Sequence, residues 1–223
     1  GGSVFTKLID NLKKNENLFS IVDSFVVFEG EHALLALIDE LSGKKDLKKV
    51  PNLVYKENGK TVINEDSFFI EDLNKLPTPD YEGLPLKLYH TPELVLPVQT
   101  SRGCYWKKCA FCNLHLDHRS YRPRKIDLVM NDIQTLSKKH NTEFFFITDE
   151  SIPLSAVSRL SDRIIEQELD IKWICGARFE KSLSSELLEK ASRAGCLKIV
   201  FGLESYSQRV LDLMSKGTQK KNI

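Results

Sequence analysis

The sequence predicts an α/β fold whose larger part is a parallel sheet covered by helices. From Leu94 onward, short apolar runs alternate four times with stretches in which apolar residues recur at helical spacing. Consecutive strand–helix units of this kind form parallel sheets. A second observation is that residues 66–93 hold half of the chain's 8 prolines and no long apolar period, which is typical of a linker. We therefore predict an α/β piece at 1–65, a linker at 66–93 and a strand–helix domain at 94–223.

Three elements are predicted in the N-terminal piece. An apolar run over 24–28 is typical of a buried strand. The stretch over 33–41 has the spacing of an amphipathic helix, with its apolar residues on one face: Leu34, Leu35, Ile38 and Leu41. Asn58-Gly59 lies between two apolar runs and predicts a β-hairpin.

The strand–helix domain is predicted to contain four units. Strands are expected at 94–98, 144–147, 171–174 and 197–201. Ser184 is expected to cap the third helix of this domain, and Gly195 to end it. A complete (βα)8 barrel needs about 200 residues or more, so four units are half of one. Because the sequence also opens abruptly on Gly1-Gly2, we expect the first half of a barrel in a fragment of a longer protein.

Composition excludes several classes of protein. The net charge is +1, with 41% hydrophobic and 28% charged residues, which gives no global drive toward nucleic acid. No apolar run approaches the roughly 20 residues that a membrane helix needs, and no signal-peptide pattern stands at the start. The 5 cysteines are too few for a disulfide scaffold in a chain of this length. We expect a cytoplasmic protein with no membrane partner, in which clustered thiols bind metal.

Three of the cysteines follow the first strand of the strand–helix domain. Cys104, Cys109 and Cys112 have the spacing C-x4-C-x2-C. Thiolates are the ligands of iron–sulfur clusters, and three on one loop suit a 4Fe–4S cluster in which one iron has no protein ligand. An open iron is where chemistry can take place, so this loop is the first candidate for the functional site.

Two other metal sites are compatible with the same loop. A 2Fe–2S cluster also uses this spacing but needs a fourth cysteine, and Cys175 falls on a strand predicted to be buried. A zinc site would combine Cys109 and Cys112 with His115 and His118, although the gaps are short for a tetrahedral site. Spacing favours the 4Fe–4S cluster and leaves both alternatives open. Cys175 and Cys196 are otherwise expected to be small buried hydrophobes.

Polar residues stand near the ends of the other predicted strands. Thr148-Asp149-Glu150, Arg178 and Glu204 should meet the cysteine loop at one rim, because the chemistry of parallel sheets lies at the carboxyl ends of their strands. Residues 148–150 could instead cap the next helix, and Arg178 could form a surface ion pair. Residues 101–125 hold seven Lys or Arg against one acid, a patch that we expect to be solvated rather than to bind RNA.

The cysteine loop resembles a known family. Ser101-Arg102-Gly103-Cys104, followed by Cys109-Ala-Phe111-Cys112-Asn113, is similar to the activation loop of radical S-adenosylmethionine enzymes. The resemblance implies that the three cysteines bind a 4Fe–4S cluster, that S-adenosylmethionine chelates the fourth iron, and that reduction yields a 5′-deoxyadenosyl radical. It also implies that Phe111 lies beside the adenine. The family's usual spacing is C-x3-C-x2-C, and this chain has one extra residue in the first gap.

The resemblance continues through the next three units. Phe146 to Glu150, Trp173 to Arg178, and Phe201 to Gly217 look like the corresponding barrel units of that family. By resemblance, Glu204, Glu150 and Arg178 contact S-adenosylmethionine. Charge is compatible with this, since an arginine can pair with the methionyl carboxylate and a carboxylate can accept from ribose hydroxyls.

The N-terminal piece contains Val22-Asp23 and Phe28-Glu29-Gly30-Glu31, followed by Leu34 and Leu35. With this stretch, residues 1–65 look like the end of the Rossmann-like cobalamin-binding domain that precedes the barrel in one subgroup of that family. No histidine of this chain has an aspartate two residues before it, so this fragment does not hold the usual lower-axial ligand motif, which either lies upstream of Gly1 or is lacking in the parent protein. The resemblance implies radical chemistry on an unknown substrate, with cobalamin-dependent methyl transfer in the full-length protein and an electron donor such as flavodoxin or ferredoxin. A radical enzyme that modifies tRNA and a non-catalytic zinc-binding module are the alternatives, and nucleic acid is the less favoured partner.

Overall fold

The computed structural model describes residues 3–12, 16–43, 46–64, 70–114 and 120–223. These residues form two compact units, the first ending at Lys75 and the second beginning at Leu76. The domain boundaries at 65 and 94 stay predictions. None of the helices in the described ranges is long and apolar enough to cross a membrane.

The first unit contains short helices and three strands. Its helices are α1 (Ser3–Lys7), α2 (Ile9–Leu12) and α3 (Glu31–Ser42), and its strands are β1 (Ser24–Val26), β2 (Leu53–Glu57) and β3 (Lys60–Ile63). Single 3-10 turns occupy Glu16–Ser20 and Leu47–Lys49. The hairpin prediction is confirmed, because β2 pairs with β3 across Asn58 and Gly59, whose φ angles are 50° and 78°.

The sheet of the first unit has the order β1-β2-β3, and both pairs are antiparallel. This differs from the parallel sheet of a Rossmann-like domain, and a two-residue connection such as the one between β2 and β3 permits only antiparallel pairing. The helix predicted over 33–41 is confirmed as part of α3. Its apolar stripe lies open in the described structure, with these exposed fractions: Leu34 55%, Leu35 64%, Ile38 51% and Leu41 55%.

The second unit contains the predicted strand–helix series. Its strands are β4 (Val95–Val98), β5 (Ser101–Arg102), β6 (Arg122–Pro123), β7 (Phe144–Ile152), β8 (Lys172–Ala177) and β9 (Cys196–Phe201). Its helices are α4 (Ile126–His140), α5 (Leu154–Glu166), α6 (Ser185–Arg193) and α7 (Gln208–Leu213), with 3-10 turns at Leu86–Leu88 and Lys220–Asn222.

The four long strands form one parallel sheet in the order β4-β7-β8-β9, which is also their order in the chain. The predicted α/β class and its parallel sheet are confirmed. Alternate side chains of these strands, such as Leu96, Phe145 and Trp173, are buried in one core with the apolar faces of the helices. Residues of the opposite face are more open, since Phe146 is 43% and Val200 is 52% exposed.

The residues predicted to begin and end the third helix of this unit do so in the structure. The side chain of Ser184 caps α6 by accepting a hydrogen bond from the N–H of Leu187 at 3.2 Å. Gly195 ends the connection to β9 with φ +81°. Cys175 is buried in the core as predicted, and Cys196 is half-buried.

The segment from Leu76 to β4 lies along the second unit and is tied to α4. Thr78 donates to Asp132 at 2.7 Å, and Tyr81 donates to the carbonyl of Pro97 at 2.7 Å. Arg124 forms a buried ion pair with Asp132 and also donates to the carbonyl of Leu76 at 3.1 Å. Burial raises the pKa of Asp132, and the hydrogen bond from Thr78 and the charge of Arg124 offset part of that rise.

Candidate functional site

The cysteine loop leaves the sheet through a narrow neck, which we define as residues 100–102 and 122–124. Ser101 pairs with Pro123 and Arg102 with Arg122 in a two-residue antiparallel ladder. The N–H of Arg124 donates to the carbonyl of Thr100 at 2.8 Å. Both ends of the loop are therefore held together directly after β4, on the carboxyl side of the parallel sheet.

A buried carboxylate lies under this neck. Asp149 accepts hydrogen bonds from the N–H and hydroxyl of Thr100, at 2.7 and 2.6 Å, and from the hydroxyl of Ser101 at 2.5 Å. Burial raises the pKa of Asp149, and these hydrogen bonds oppose the rise. The helix-capping alternative for residues 148–150 is wrong, because β7 continues to Ile152 and the N-cap of α5 is Pro153, without a side-chain hydrogen bond.

Glu150 holds the backbone beside the first cysteine. Its Oε2 accepts from the N–H of Gly103 at 3.0 Å, and Gly103 has φ +84°. The contact to S-adenosylmethionine expected of Glu150 stays a prediction. What the structure shows is that this carboxylate positions the residue that precedes Cys104.

The three thiols of the loop are free and partly exposed. The N–H of Cys112 donates to the carbonyl of Cys109 at 3.1 Å, so the C-x2-C segment forms a tight turn. Within the described ranges, no three His, Cys, Asp or Glu side chains converge on one metal ion. A 4Fe–4S cluster does not require such convergence, because each thiolate binds a different iron, and an all-thiolate donor set suits it.

The structure describes the extra ligand of one of the two alternative metal sites but not those of the other. Cys175 lies on the buried face of β8, 1% exposed and packed in the core, so it is poorly placed to be a fourth ligand of a loop cluster. A hydrogen bond that the Cys175 thiol donates to Cys196, together with burial, raises the pKa of Cys175, which further disfavours a thiolate there. His115 and His118, which the zinc alternative needs, lie outside the described residues.

Arg178 is buried against the cysteine loop. Its guanidinium donates to Sγ of Cys109 at 3.7 Å and to the carbonyl of Lys216. Its side chain is not the surface ion-pair partner of the alternative interpretation, since the residue is only 6% exposed. The positive charge of Arg178 therefore lies directly beside the second cysteine of the loop.

Glu204 and Phe111 both contact Lys216, a residue that was not predicted from the sequence to belong to the site. Nζ of Lys216 lies 3.1 Å from Oε1 of Glu204 and 5.5 Å from the centroid of the Phe111 ring. Phe111 is 55% exposed and offers a flat apolar surface beside this ion pair. Lys216 directly precedes Gly217, at the end of the stretch that carried the family resemblance. This position is the feature of the sequence that could have identified Lys216 as a site residue.

A second pair of contacts fixes the loop, one in each of the two gaps between its cysteines. The hydroxyl of Tyr105 donates to Glu180. The pKa of this tyrosine is raised, mainly by burial and secondly by that hydrogen bond. The N–H of Ala110 donates to the carbonyl of Met214 at 2.8 Å, which joins the loop to the segment after α7. The predicted site residues are thus brought together at the carboxyl edge of the sheet, each bonded to the cysteine loop or to the segment that supports it.

A known protein family matches the part of the chain that forms this edge. The family profile described as "Radical SAM superfamily" matches residues 98–223, a range that contains all three clustered cysteines and Glu204. The match begins at the last residue of β4 and extends to the end of the chain.

Two curated relatives are each 30% identical to the chain across 88% of its length. One is an uncharacterized methyltransferase of Pyrococcus horikoshii, aligned over 200 residues, and the other is the anaerobic magnesium-protoporphyrin IX monomethyl ester cyclase of Rubrivivax gelatinosus, aligned over 208 residues. The chain spans only 43% and 37% of the lengths of these relatives.

Two solved structures have similar folds. The cobalamin-dependent S-adenosylmethionine radical enzyme OxsB, with aqua-cobalamin and S-adenosylmethionine bound, has a TM-score of 0.77 at 23% identity, covering 100% of this chain and 33% of that one. The radical S-adenosylmethionine methyltransferase TsrM of Kitasatospora setae, with tryptophan substrate and a S-adenosylmethionine analog bound, has a TM-score of 0.74 at 17% identity, covering 96% and 43%.

Proposed function

Because the chain belongs to the radical S-adenosylmethionine superfamily, we propose that it supplies the cluster-binding part of an enzyme that cleaves S-adenosylmethionine reductively. Members of this superfamily use a 4Fe–4S cluster and S-adenosylmethionine. The single observation that carries the proposal is the arrangement of three free thiols on a loop with a fixed neck, with Arg178 in contact with Cys109.

The residues of the loop have distinct roles in this proposal. Cys104, Cys109 and Cys112 bind three irons, and the guanidinium of Arg178 offsets the negative charge of the thiolates. Bound together, the cluster and S-adenosylmethionine supply a one-electron cleavage of the sulfonium to methionine and a 5′-deoxyadenosyl radical. The protein holds the loop in place, and Glu150 fixes its backbone at Gly103.

Binding of the nucleoside is assigned to Phe111 and the neighbouring ion pair of Glu204 and Lys216. The exposed ring of Phe111 packs against the adenine, since aromatic faces stack with offset geometry. Glu204 accepts hydrogen bonds from the ribose hydroxyls or the amino group, and its ion pair with Lys216 holds the carboxylate in place.

The reaction class that we propose is cobalamin-dependent methyl transfer or another radical reaction on a substrate not identified by these residues. Support comes from two similar proteins, a relative named a methyltransferase and a protein of similar fold, OxsB, named cobalamin-dependent. We place the protein in the reducing cytoplasm, with a flavodoxin or ferredoxin as the electron donor. The Asp-x-His motif for a lower-axial ligand does not occur in the 223 residues of this chain.

Anaerobic reconstitution with iron and sulfide tests the proposal directly. We expect about four irons per chain, as a 4Fe–4S cluster requires, with a broad absorption band that bleaches with dithionite. Cys109→Ala should abolish the band, because the thiolate beside Arg178 is lost. Cys175→Ala is the matched control and should retain the band, since this thiol lies in the core.

Two results would contradict this assignment. Stoichiometric zinc without the absorption band would favour the zinc alternative. Equal behaviour of Cys109→Ala and Cys175→Ala would mean that the ligands are not those of the loop.

A second prediction concerns the affinity for S-adenosylmethionine. Glu204→Gln should weaken binding to the reconstituted protein about tenfold, which is the typical value of one hydrogen bond to a charged group. Calorimetric titration measures the Kd. Asp170→Asn is a matched acid-to-amide control on an 85% exposed side chain and should leave the Kd unchanged. An unchanged Kd for Glu204→Gln would remove this residue from the site.

A further inference from the structure

The gap between the first two cysteines is one residue longer than is usual in the family, and an indole side chain lies inside it. Trp106 occupies this gap, followed by Lys107, which has φ 55°. The left-handed conformation of Lys107 turns the chain back after the indole. The extra length is therefore taken up by a turn next to Trp106.

The indole of Trp106 sits in a receptor formed by residues 215–217. Nε1 of Trp106 donates to the carbonyl of Ser215 at 2.8 Å, across a sequence separation of 109 residues. A Cβ built on Gly217 would lie 2.0 Å from Cζ2 and 2.3 Å from Cη2 of the indole. The ring thus occupies the space that any side chain at position 217 would need.

The backbone of residues 215–217 has an unusual conformation. Ser215 has φ 51° and Gly217 has φ 73°, so two of its three residues are in the left-handed region. Non-glycine residues adopt this region only at an energetic cost, which neighbouring contacts must offset. The hydrogen bond from the indole to Ser215 is one such contact.

A cation–π contact connects the indole to the arginine that faces a cluster ligand. The guanidinium carbon of Arg178 lies 4.6 Å from the centroid of the Trp106 ring, within the range of a cation–π contact. The same guanidinium donates to Sγ of Cys109 at 3.7 Å. The indole is therefore packed against the group that faces the second cysteine of the loop.

We propose that Trp106 is a positioning residue, which locks the longer Cys104–Cys109 gap into the 215–217 receptor and thereby keeps Cys109 against Arg178. The inference rests on the proposed function, because it assumes that these cysteines bind the cluster. Trp106 itself touches no reacting atom. Its effect is exerted through Arg178 and through the backbone of the loop.

Proteolysis of the cluster-free protein tests the lock without reference to the cluster. Lys107 and Lys108 follow the indole and are exposed, so trypsin can cut there whenever the loop opens. Trp106→Ala should be cut at this point about tenfold faster than wild type, because cleavage follows the population of the open state. Trp106→Phe, which keeps a ring in the receptor, should recover most of the protection.

Gly217→Ala should reproduce the effect of Trp106→Ala, since the added methyl displaces the indole. Gly83→Ala is the matched control, because Gly83 has φ +82° with no atom within 4 Å of a built Cβ. Gly83→Ala also forces an alanine into the left-handed region, as Gly217→Ala does, but it displaces no side chain. The double variant Trp106→Ala/Gly217→Ala should be cut no faster than Trp106→Ala alone, as expected when two changes remove one contact.

Cluster assembly is the second measurement. Trp106→Ala and Gly217→Ala should hold about threefold less iron after reconstitution and desalting than wild type, with an altered electron paramagnetic resonance signal of the reduced cluster. Trp106→Phe and Gly83→Ala should resemble wild type in both respects.

The outcomes separate this inference from the proposed function. If wild type assembles no cluster but Trp106→Ala still opens the loop to trypsin, the lock stands and the proposed function fails. If wild type assembles a cluster and Trp106→Ala matches it in iron content, signal and proteolysis, the positioning role is refuted. Faster cutting with an unchanged signal would reduce Trp106 to a packing residue and equally overturn the inference.

Discussion

Replacing Gly195 with alanine should destabilise the second unit by about 4 kcal/mol, from overpacking against backbone and from the cost of a left-handed alanine. Gly195 has φ +81°, and a Cβ there would lie 1.8 Å from the carbonyl oxygen of Ile171. That oxygen belongs to the backbone and cannot rotate away. The neighbouring chain is also fixed, because the carbonyl of Gly195 accepts from the N–H of Trp173 at 3.0 Å.

Urea unfolding followed by circular dichroism and tryptophan emission measures this effect. Trp173 is a suitable reporter, since its buried indole donates to the carbonyl of Ala194 at 2.8 Å, directly beside the substitution. Gly83→Ala again separates the two causes, because it adds the backbone cost of about 1 kcal/mol without a steric clash. Equal midpoints for the two variants would show that the turn at Gly195 can relax, contrary to the packing argument.

The parts of the fold that local pattern determines were predictable from the sequence. Ser184 caps α6, Asn58-Gly59 turns a hairpin, and Gly195 ends a helix connection, all because each depends on residues near it in the chain. The apolar stripe of α3 shows the limit of this reasoning. Periodicity identifies an apolar face, but what covers that face depends on residues far away in sequence or outside the described part of the chain.

The candidate site divides in the same way. The convergence of the cysteine loop, Arg178 and Glu204 on one edge followed from the rule that parallel strands carry chemistry at their carboxyl ends. The side chains that support the loop did not follow from it. The bonds of Asp149 to Thr100 and of Arg178 to Cys109 span 49 and 69 residues, and no local signal distinguishes these partners from other polar residues.

Loss of the carboxylate under the neck should also have a large effect. Asp149→Ala leaves a buried N–H and two hydroxyls without their acceptor, and we expect a loss of about 3 kcal/mol in the free energy of unfolding. The cysteine loop should then be cut by trypsin faster than in wild type, because its neck is released. Asp170→Ala, at an 85% exposed side chain, should change stability by less than about 0.5 kcal/mol. A stable Asp149→Ala protein with a protected loop would show that the ladder between β5 and β6 holds the neck unaided.

Asp149→Asn gives a pH-dependent version of the same test. Burial raises the pKa of Asp149 above its ordinary value of 3.8, so the folded state binds this proton more tightly than the unfolded chain does. The part of the stability that comes from this tighter proton binding is therefore fully present below pH 3.8 and is lost as pH rises through the folded-state pKa; the cost of removing the acceptor in Asp149→Ala is separate and remains above it. The difference in unfolding free energy, wild type minus Asp149→Asn, should fall across that window and then level off. Urea titrations at stepped pH measure it, and a difference that rises with pH would mean that the bonds from Thr100 and Ser101 outweigh burial and favour the ionised carboxylate.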